Sequence, residues 1–354
     1  MIDSFTQVSD DPDYARVTNP TVINYERIVR NLTGAADVIA FNSGMAAIAG
    51  AVMAIAGAGK RIVTSRHLFG NTYLLFTKTL GAFGVKTDLI DLTDPELVRK
   101  SLGGDVCCVY LETVTNPQME VADIKAISEI AHAAGVPVIA DTTMIPFVYG
   151  DSKALGVDVE ILSSTKYLSG GATSLGGLLI DYGTFPGFGK SVRTNTLMNL
   201  GGYMTPHAAY MQTLGLETLA ARYEAHERNA RAVAEAMARR GDVEVCWPGL
   251  EENPWHEICK RQFGGRFSAM ITLTLKSKEA CFRFIDNLKL VRRATNLFDN
   301  KTLAIHPAST IYGTLTPETR KELDVSERLI RLSIGLEDAA DIIADLNAAL
   351  DAAK

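Results

Sequence analysis

The sequence predicts an α/β fold: a large unit on a mostly parallel sheet, followed by a smaller α+β unit at the C-terminal end. Two observations carry this. In the first half, short and almost continuously apolar runs alternate with amphipathic helical stretches, the pattern of strands covered on both faces by crossover helices. From about residue 214 the alternation stops, and a long helical stretch leads into separate strands and helices. With 354 residues the chain is long enough for one large domain and a smaller one. The expected division is a short N-terminal arm over 1–40, a large α/β domain over 41–222 and an α+β domain over 223–354.

Taken in order, the expected strands of the large unit are "RIVTS" (61–65), "VKTDLID" (85–91), "VCCVYLE" (106–112), "VPVIAD" (136–141), "DVEILSS" (158–164) and "GGLLIDY" (176–182). Between them, "DIKAISEIAHAAG" (123–135) places Ile124, Ile127, Ile130 and Ala131 on one helical face, and Gly135 is a natural stop. The apolar window "AAIAGAVMAIAGAG" (46–59) is too short for a bilayer, which needs roughly 20 apolar residues, and reads as a buried helix. Residues 214–241 read as one long helix or two in succession. After them come strands "RFSAMITLTL" (266–275) and "RLIRLSIG" (328–335), with helices "EACFRFIDNL" (279–288) and "DAADIIADLNAAL" (338–350).

Composition excludes several function classes. The chain is 47% hydrophobic and 21% charged, and its net charge of -6 gives no electrostatic footprint for nucleic acid. No basic run suits an anionic membrane. The start, "MIDSFTQVSDDPD", is polar and acidic, unlike a signal peptide. Five cysteines, an odd number with no CxxC pair, suggest a reducing compartment and a cytoplasmic protein; Cys107 and Cys108 read as small buried residues in a strand. No HExxH and no Cys/His cluster occurs, so no metal site is expected, and His67, His226 and His306 read as structural. GxSxG, the P-loop pattern and a GxGxxG opening a helix are absent, which removes the usual anchors of a serine hydrolase, a nucleotide phosphate site and a dinucleotide site.

Four features remain that can carry chemistry. Lys166, in "SSTKYLSGG" (163–171), follows an apolar strand. At the mouth of a covered sheet an amine loses hydration, its pKa falls, and it can form a Schiff base with a carbonyl; the same lysine in an open loop is a solvated charge. Asp141 ends "VPVIAD", 25 residues earlier, and is either a turn cap or the partner of a pyridinium nitrogen. "FNSGMAAIAG" (41–50) places Ser43 and Gly44 at a helix entrance, either a plain N-cap or an anion site. Arg331 lies on an apolar strand and needs a partner, either an internal carboxylate or the carboxylate of a substrate.

Eight blocks appear together in order: "YARVTNPT" (14–21), "SGMAAI" (43–48), "ETVTNP" (112–117), "DTTMIP" (141–146), "SSTKYLSGG", "GLETLAAR" (215–222), "HPAST" (306–310) and "RLSIGLED" (331–338). With them the chain resembles, along almost its whole length, the Cys/Met-metabolism family of enzymes dependent on pyridoxal phosphate (PLP), relatives of cystathionine γ-synthase, methionine γ-lyase and O-acetylhomoserine sulfhydrylase. The resemblance implies a PLP-dependent transferase of fold type I. It implies that Lys166 holds PLP as a Schiff base, that Asp141 binds the ring nitrogen, and that Gly44, Met45, Ser163 and Thr165 hold the phosphate. Thr143 and Asn116 would also bind the cofactor, Asn116 near its phenolic oxygen, and Arg331 would bind the substrate carboxylate. Tyr14 and Arg16 would reach the phosphate of a neighbouring subunit, in a homodimer paired into a tetramer.

Three departures stand out. The family usually carries tyrosine where this chain has Phe69, which can stack on PLP but cannot donate a proton. The N-terminal arm is shorter than usual. Thr142 stands where asparagine is common. The stretch "NLFDNKTLAIHPAST" (296–310) is most similar to the sulfhydrylase branch, with Asn296 near the substrate where other branches carry serine. Asn71 stands where methionine γ-lyases carry a reactive cysteine. The expected reaction is γ-replacement on an O-acylated homoserine by sulfide or a small thiol, as in methionine biosynthesis. Elimination by a carbon–sulfur lyase is the alternative within the family, and a PLP fold with decayed catalysis is the alternative outside it.

Overall fold

In a computed structural model describing residues 14–354, seven strands form the larger sheet. They are β1 (Asp37–Phe41), β2 (Arg61–Ser65), β3 (Lys86–Ile90), β4 (Val106–Glu112), β5 (Val138–Asp141), β6 (Val159–Leu162) and β7 (Gly177–Asp181). Their spatial order is β1-β7-β6-β5-β4-β2-β3. Strands β3, β2, β4, β5 and β6 are parallel, while β7 runs antiparallel to both β6 and β1. The apolar runs become strands because both faces are buried. Along β1, Val38 and Ala40 join one apolar cluster and Ile39 and Phe41 the other, the two-residue alternation of a pleated strand between two covering layers. Cys107 and Cys108 are buried in β4 as small core residues.

The layers are helices with identifiable starts and stops. Asn19 caps the helix Pro20–Thr33, which ends at Gly34 with φ of 62°. The window expected as a buried helix folds as Gly44–Met53, capped by the Ser43 hydroxyl. Asp123 caps Ile124–Ala133. The helix 20–33 and β1 lie largely inside the stretch expected as an arm, and both belong to the body of the large unit.

The second sheet has five strands: β8 (Glu244–Cys246), β9 (Met270–Thr274), β10 (Arg292–Arg293), β11 (Leu303–Ile305) and β12 (Leu329–Ser333), in the order β10-β11-β12-β9-β8. The stretch 214–241 contains a break. One helix, Pro206–Glu217, ends at Thr218, and a second, Leu219–Arg240, begins there. Helices Lys278–Asn287 and Ala339–Ala352 follow the expected positions. One apolar cluster is continuous from the large sheet (Val109, Leu111, Ala140) to the smaller one (Ile271, Leu273, Leu332), so the two sheets share a core.

Candidate active site

Three strands of the large sheet end at one cavity of about 770 Å³, within the usual range for small-molecule sites. Parallel strands place their C-terminal ends on one edge, and ligands bind there in the connecting loops. Glu112 ends β4, Asp141 ends β5 directly beside it in the ladder, and Ser163 follows β6. The far wall comes from the smaller unit, through Thr295, Asn296, Leu297 and Arg331.

Lys166 sits in the loop between β6 and β7. A short 3₁₀ turn follows it and stops at Gly170, with φ of 84°. Under this turn lies the helix 206–217, so close that a Cβ on Gly215 would sit 2.0 Å from the Leu168 carbonyl oxygen. The loop is therefore braced from below, and the lysine amine points into the cavity, where Nζ donates to Asn296 Oδ1 at 2.6 Å. Its pKa is lowered from about 10.5 to about 8, first by burial and then by the Arg331 charge.

Asp141 accepts the Thr143 backbone N–H on Oδ1 at 2.9 Å, and the Tyr110 hydroxyl lies 3.4 Å from Oδ2. Burial pushes its carboxyl up, and the Thr143 hydrogen bonds oppose this. Thr143 also accepts the Ser163 N–H on Oγ1 at 2.8 Å, tying the end of β5 to the end of β6. Gly44 and Met45 begin the helix 44–53, whose first N–H groups have no intrahelical partner. A Cβ on Gly44 would meet Ser163 Cβ at 2.7 Å, so only glycine lets the helix entrance and the Ser163 loop share one corner. Thr165 also lines the cavity, and its hydroxyl already bonds the Gly176 backbone, donating to the carbonyl at 3.1 Å and accepting the N–H at 3.0 Å.

Arg331 is 2% exposed. Its Nη1 donates to Asn116 Oδ1 at 3.2 Å, and Nη2 donates to the carbonyls of Thr295 and Asn296 at 3.0 and 3.1 Å. Nε has no partner. No carboxylate among the described residues pairs with it, so the internal ion pair allowed by the sequence is not made. Burial lowers its pKa to about 10, and the group stays cationic at neutral pH.

Phe69 lines the same cavity, as do Asn116 and Asn71. Thr142 does not; its hydroxyl turns into the core and donates to Glu160 at 2.6 Å. Tyr14 and Arg16 also lie outside the cavity. Arg16 donates to the Met198 carbonyl at 2.6 Å and packs over the Tyr14 ring, and Tyr14 is exposed. Sequence reasoning missed Glu112, Met144, Thr173, Ser174 and Ile311 as lining residues. For Glu112 a signal existed: like Asp141, it is a carboxylate at the end of an apolar strand. The three histidines read as structural are each held by internal partners: His67 by Glu120 and Asp324, His226 by the Ile334 carbonyl, and His306 by Ser309 and the Glu327 carbonyl. Among the described residues no group of His, Cys, Asp and Glu could hold a metal ion, and no helix is long and apolar enough to cross a membrane.

A parallel sheet with a desolvated lysine, an unpaired carboxylate and a helix N-terminus converging at its strand ends defines a site for an anionic carbonyl cofactor. The chain belongs to the Cys/Met metabolism PLP-dependent enzyme family, which it matches over residues 3–351. It is therefore a PLP-dependent enzyme of fold type I, with pyridoxal phosphate as cofactor. It is 36% identical to the O-succinylhomoserine sulfhydrylase of Pseudomonas aeruginosa over 94% of this chain and 82% of that protein. It is 38% identical to the L-methionine γ-lyase of Porphyromonas gingivalis over 96% of this chain and 85% of that protein. A solved structure from Campylobacter jejuni, assigned as an O-acetylhomoserine (thiol)-lyase and carrying N'-pyridoxyl-lysine-5'-monophosphate, superposes with a TM-score of 0.95. It is 32% identical, covering 99% of this chain and 91% of that one.

Proposed function

We propose that the protein catalyses γ-replacement on an O-acylated homoserine, with sulfide or a small thiol as the incoming nucleophile. The observation that carries this reading is Arg331, a buried cation without a carboxylate partner that shares one cavity with the Lys166 amine. A guanidinium held in this way is ready for the α-carboxylate of an amino acid. The sulfhydrylase relatives supply the ester class of substrate.

The residues present fit PLP. The Gly44 and Met45 amides and the Ser163 hydroxyl suit its phosphate, and the Thr165 hydroxyl keeps one lone pair beyond its bonds to Gly176. Asp141, a carboxylate with no lysine or arginine paired to it among the described residues, suits the protonated ring nitrogen; Thr143 orients it, and Asn116 suits the phenolic oxygen. Bound there, the cofactor supplies a carbonyl for the amino group and a ring that takes up the electron pair left at Cα. Lys166 Nζ, largely neutral above about pH 8, carries the proton between Cα and the atoms beyond it, and Asn296 Oδ1 orients it. Phe69 covers the site and excludes water. Residues 41–222, with the helix 20–33 and β1 added, are proposed as the PLP-binding domain, and residues 223–354 as the C-terminal α+β domain. Tyr14 and Arg16, away from this chain's own cavity, are placed at the neighbour's phosphate in a homodimer paired into a tetramer, working in the cytoplasm.

Phe69 bears on the leaving group. A thiolate departs best with an acid beside it, since a thiol has a pKa of about 8.5, whereas a carboxylate with a pKa of about 4 leaves unaided. The missing phenol therefore penalises thioethers more than esters. Phe69→Tyr is expected to raise elimination from L-methionine about tenfold or more, where a fully positioned general acid contributes about a hundredfold or more, and to change replacement on O-acetylhomoserine less. Equal effects on both would remove Phe69 as a determinant.

The second reading is elimination, favoured by the 38% identity to a methionine γ-lyase. A panel of O-acetyl-, O-succinyl- and O-phosphohomoserine, cystathionine and methionine, each with and without sulfide, separates the two. Sulfide-dependent thiol amino acid from a homoserine ester is the expected result. Keto acid from methionine at a comparable rate without sulfide would replace γ-replacement with elimination.

A further inference from the structure

The site contains a second buried carboxyl that the proposed chemistry does not use. Glu112 ends β4, is 8% exposed and stands directly opposite Asp141 in the parallel ladder. Its Oε1 accepts the Phe69 backbone N–H at 2.7 Å, and the Asn116 N–H also faces the carboxyl. Among the described residues no lysine or arginine pairs with Glu112 or Asp141. The other polar groups facing the pair are Thr143 on Asp141, the Tyr110 hydroxyl on β4, the Tyr312 hydroxyl and, behind Asp141, Glu160 on β6. None of these is a cation; Lys166 and Arg331 line the same cavity, Arg331 bonded to the Asn116 side chain, and neither forms an ion pair with the two carboxyls.

Two adjacent carboxyls with no cation between them do not both ionise; they titrate as a pair. Glu112 also has a second contact with the site, because the N–H it accepts belongs to Phe69, a residue that lines the cavity. From this geometry we infer that Glu112 is a positioning residue: it shares one proton with Asp141 at the ring-nitrogen end of the site and fixes Phe69 through its backbone. Burial first, and the Asp141 charge second, push the Glu112 carboxyl well above its ordinary range, which accords with its being the protonated member. The neutral acid leaves Asp141 as the single anion for the ring nitrogen, and the site avoids holding two uncompensated charges before the cofactor enters. The inference rests on the assignment of Asp141 to the ring nitrogen and is independent of which amino acid is turned over.

Two variants separate the two duties. Glu112→Gln keeps an oxygen that accepts the Phe69 N–H and removes the acid; Glu112→Ala removes both. The infrared difference spectrum of full-length, cofactor-free wild type minus Glu112→Gln at neutral pH is expected to show one protonated-carboxyl stretch that shifts in heavy water. PLP affinity, measured by fluorescence titration, is expected to stay within about threefold in Glu112→Gln and to weaken about tenfold or more in Glu112→Ala, which leaves a buried N–H unpaired. The pH profile of PLP affinity is expected to lose one titration step in Glu112→Gln. A difference spectrum without a protonated-carboxyl band overturns the shared proton. PLP binding by Glu112→Ala equal to wild type overturns the hold on Phe69. Should Glu112→Ala fail to fold, the spectrum and pH profile of Glu112→Gln decide the shared proton, and PLP affinity of Glu112→Met, which keeps the volume but offers the Phe69 N–H no oxygen, decides the hold on Phe69. No amino acid substrate enters either measurement, so failure here is distinct from failure of the proposed reaction.

Discussion

Replacing Lys166 with methionine is expected to abolish turnover and, at the same time, to stabilise the cofactor-free chain near neutral pH. Loss of turnover follows from removing the amine that carries the proton. The gain in stability follows from the pKa. In the folded chain Lys166 titrates at about 8, because burial and then the Arg331 charge oppose the ammonium form, while an unperturbed lysine titrates at about 10.5. The unfolded chain therefore binds more protons between about pH 8 and pH 10.5, so stability rises with pH across that window. Below about pH 8 the full penalty is present. A shift of this size corresponds to about 3 kcal/mol, and the part of the side chain still open to the cavity brings the expected gain to about 1–3 kcal/mol. Methionine has similar volume and carries no charge, so the gain is relief of desolvation. Urea unfolding of both proteins near pH 7 and near pH 10 checks this: the advantage of the variant should be clear at the lower pH and should shrink at the higher one. A variant less stable near pH 7 would mean that the amine is solvated in the folded chain.

How far this site is legible in sequence depends on what each residue's neighbours contribute. Strands β2 and β4 match the expected spans end to end, because both are apolar runs with sharp polar ends. β5 begins at Val138, two residues later than the expected span, after Pro137, which has no N–H to give the ladder. β1, only five residues long, runs straight into the Ser43 helix entrance and reads as part of an arm. β8, β10 and β11 have three, two and three residues, too few to express a period. The antiparallel direction of β7 is invisible for another reason: a strand buried on both faces has the same apolar pattern in either direction. In the site, Lys166 and Asp141 are legible because a charged residue at the end of an apolar strand is conspicuous. Glu112 has the same signal, but it opens "ETVTNP", where Asn116 draws the chemical interpretation. The departure at Thr142 proves to concern the core, since its hydroxyl serves the buried Glu160. That side chain alternates away from the cavity that Asp141 and Thr143 face, a distinction only the three-dimensional strand end makes.

Arg331→Lys is expected to lower kcat/KM for the homoserine ester about a hundredfold or more, leaving the absorption spectrum of bound cofactor unchanged. The guanidinium is fixed on three sides, by Asn116 Oδ1 and the carbonyls of Thr295 and Asn296, with Nε unpartnered. Lysine carries the charge but not the planar fork, so it can neither keep all three contacts nor grip a carboxylate bidentately. Truncating one partner of a buried charge pair costs about 2–5 kcal/mol, which spans roughly 30-fold to several thousandfold in kcat/KM and has a hundredfold in its lower half. A pure binding role places most of the loss in KM; a role that also aligns Cα with Lys166 lowers kcat as well, since misplacement of the reacting atoms slows chemistry itself. Arg331→Leu sharpens the interpretation. If the arginine served mainly to hold the fold, removing it would destabilise the chain. As a desolvated cation with no carboxylate partner among the described residues, its removal should leave stability unchanged or raise it while turnover falls at least as far as in Arg331→Lys. With Lys166, this gives the cavity two desolvated basic groups near neutral pH that no carboxylate among the described residues pairs with. Unchanged kcat/KM in an Arg331→Lys enzyme with an intact cofactor spectrum would move the substrate carboxylate elsewhere and leave Arg331 as a brace between β12 and the loops around Asn116 and Asn296.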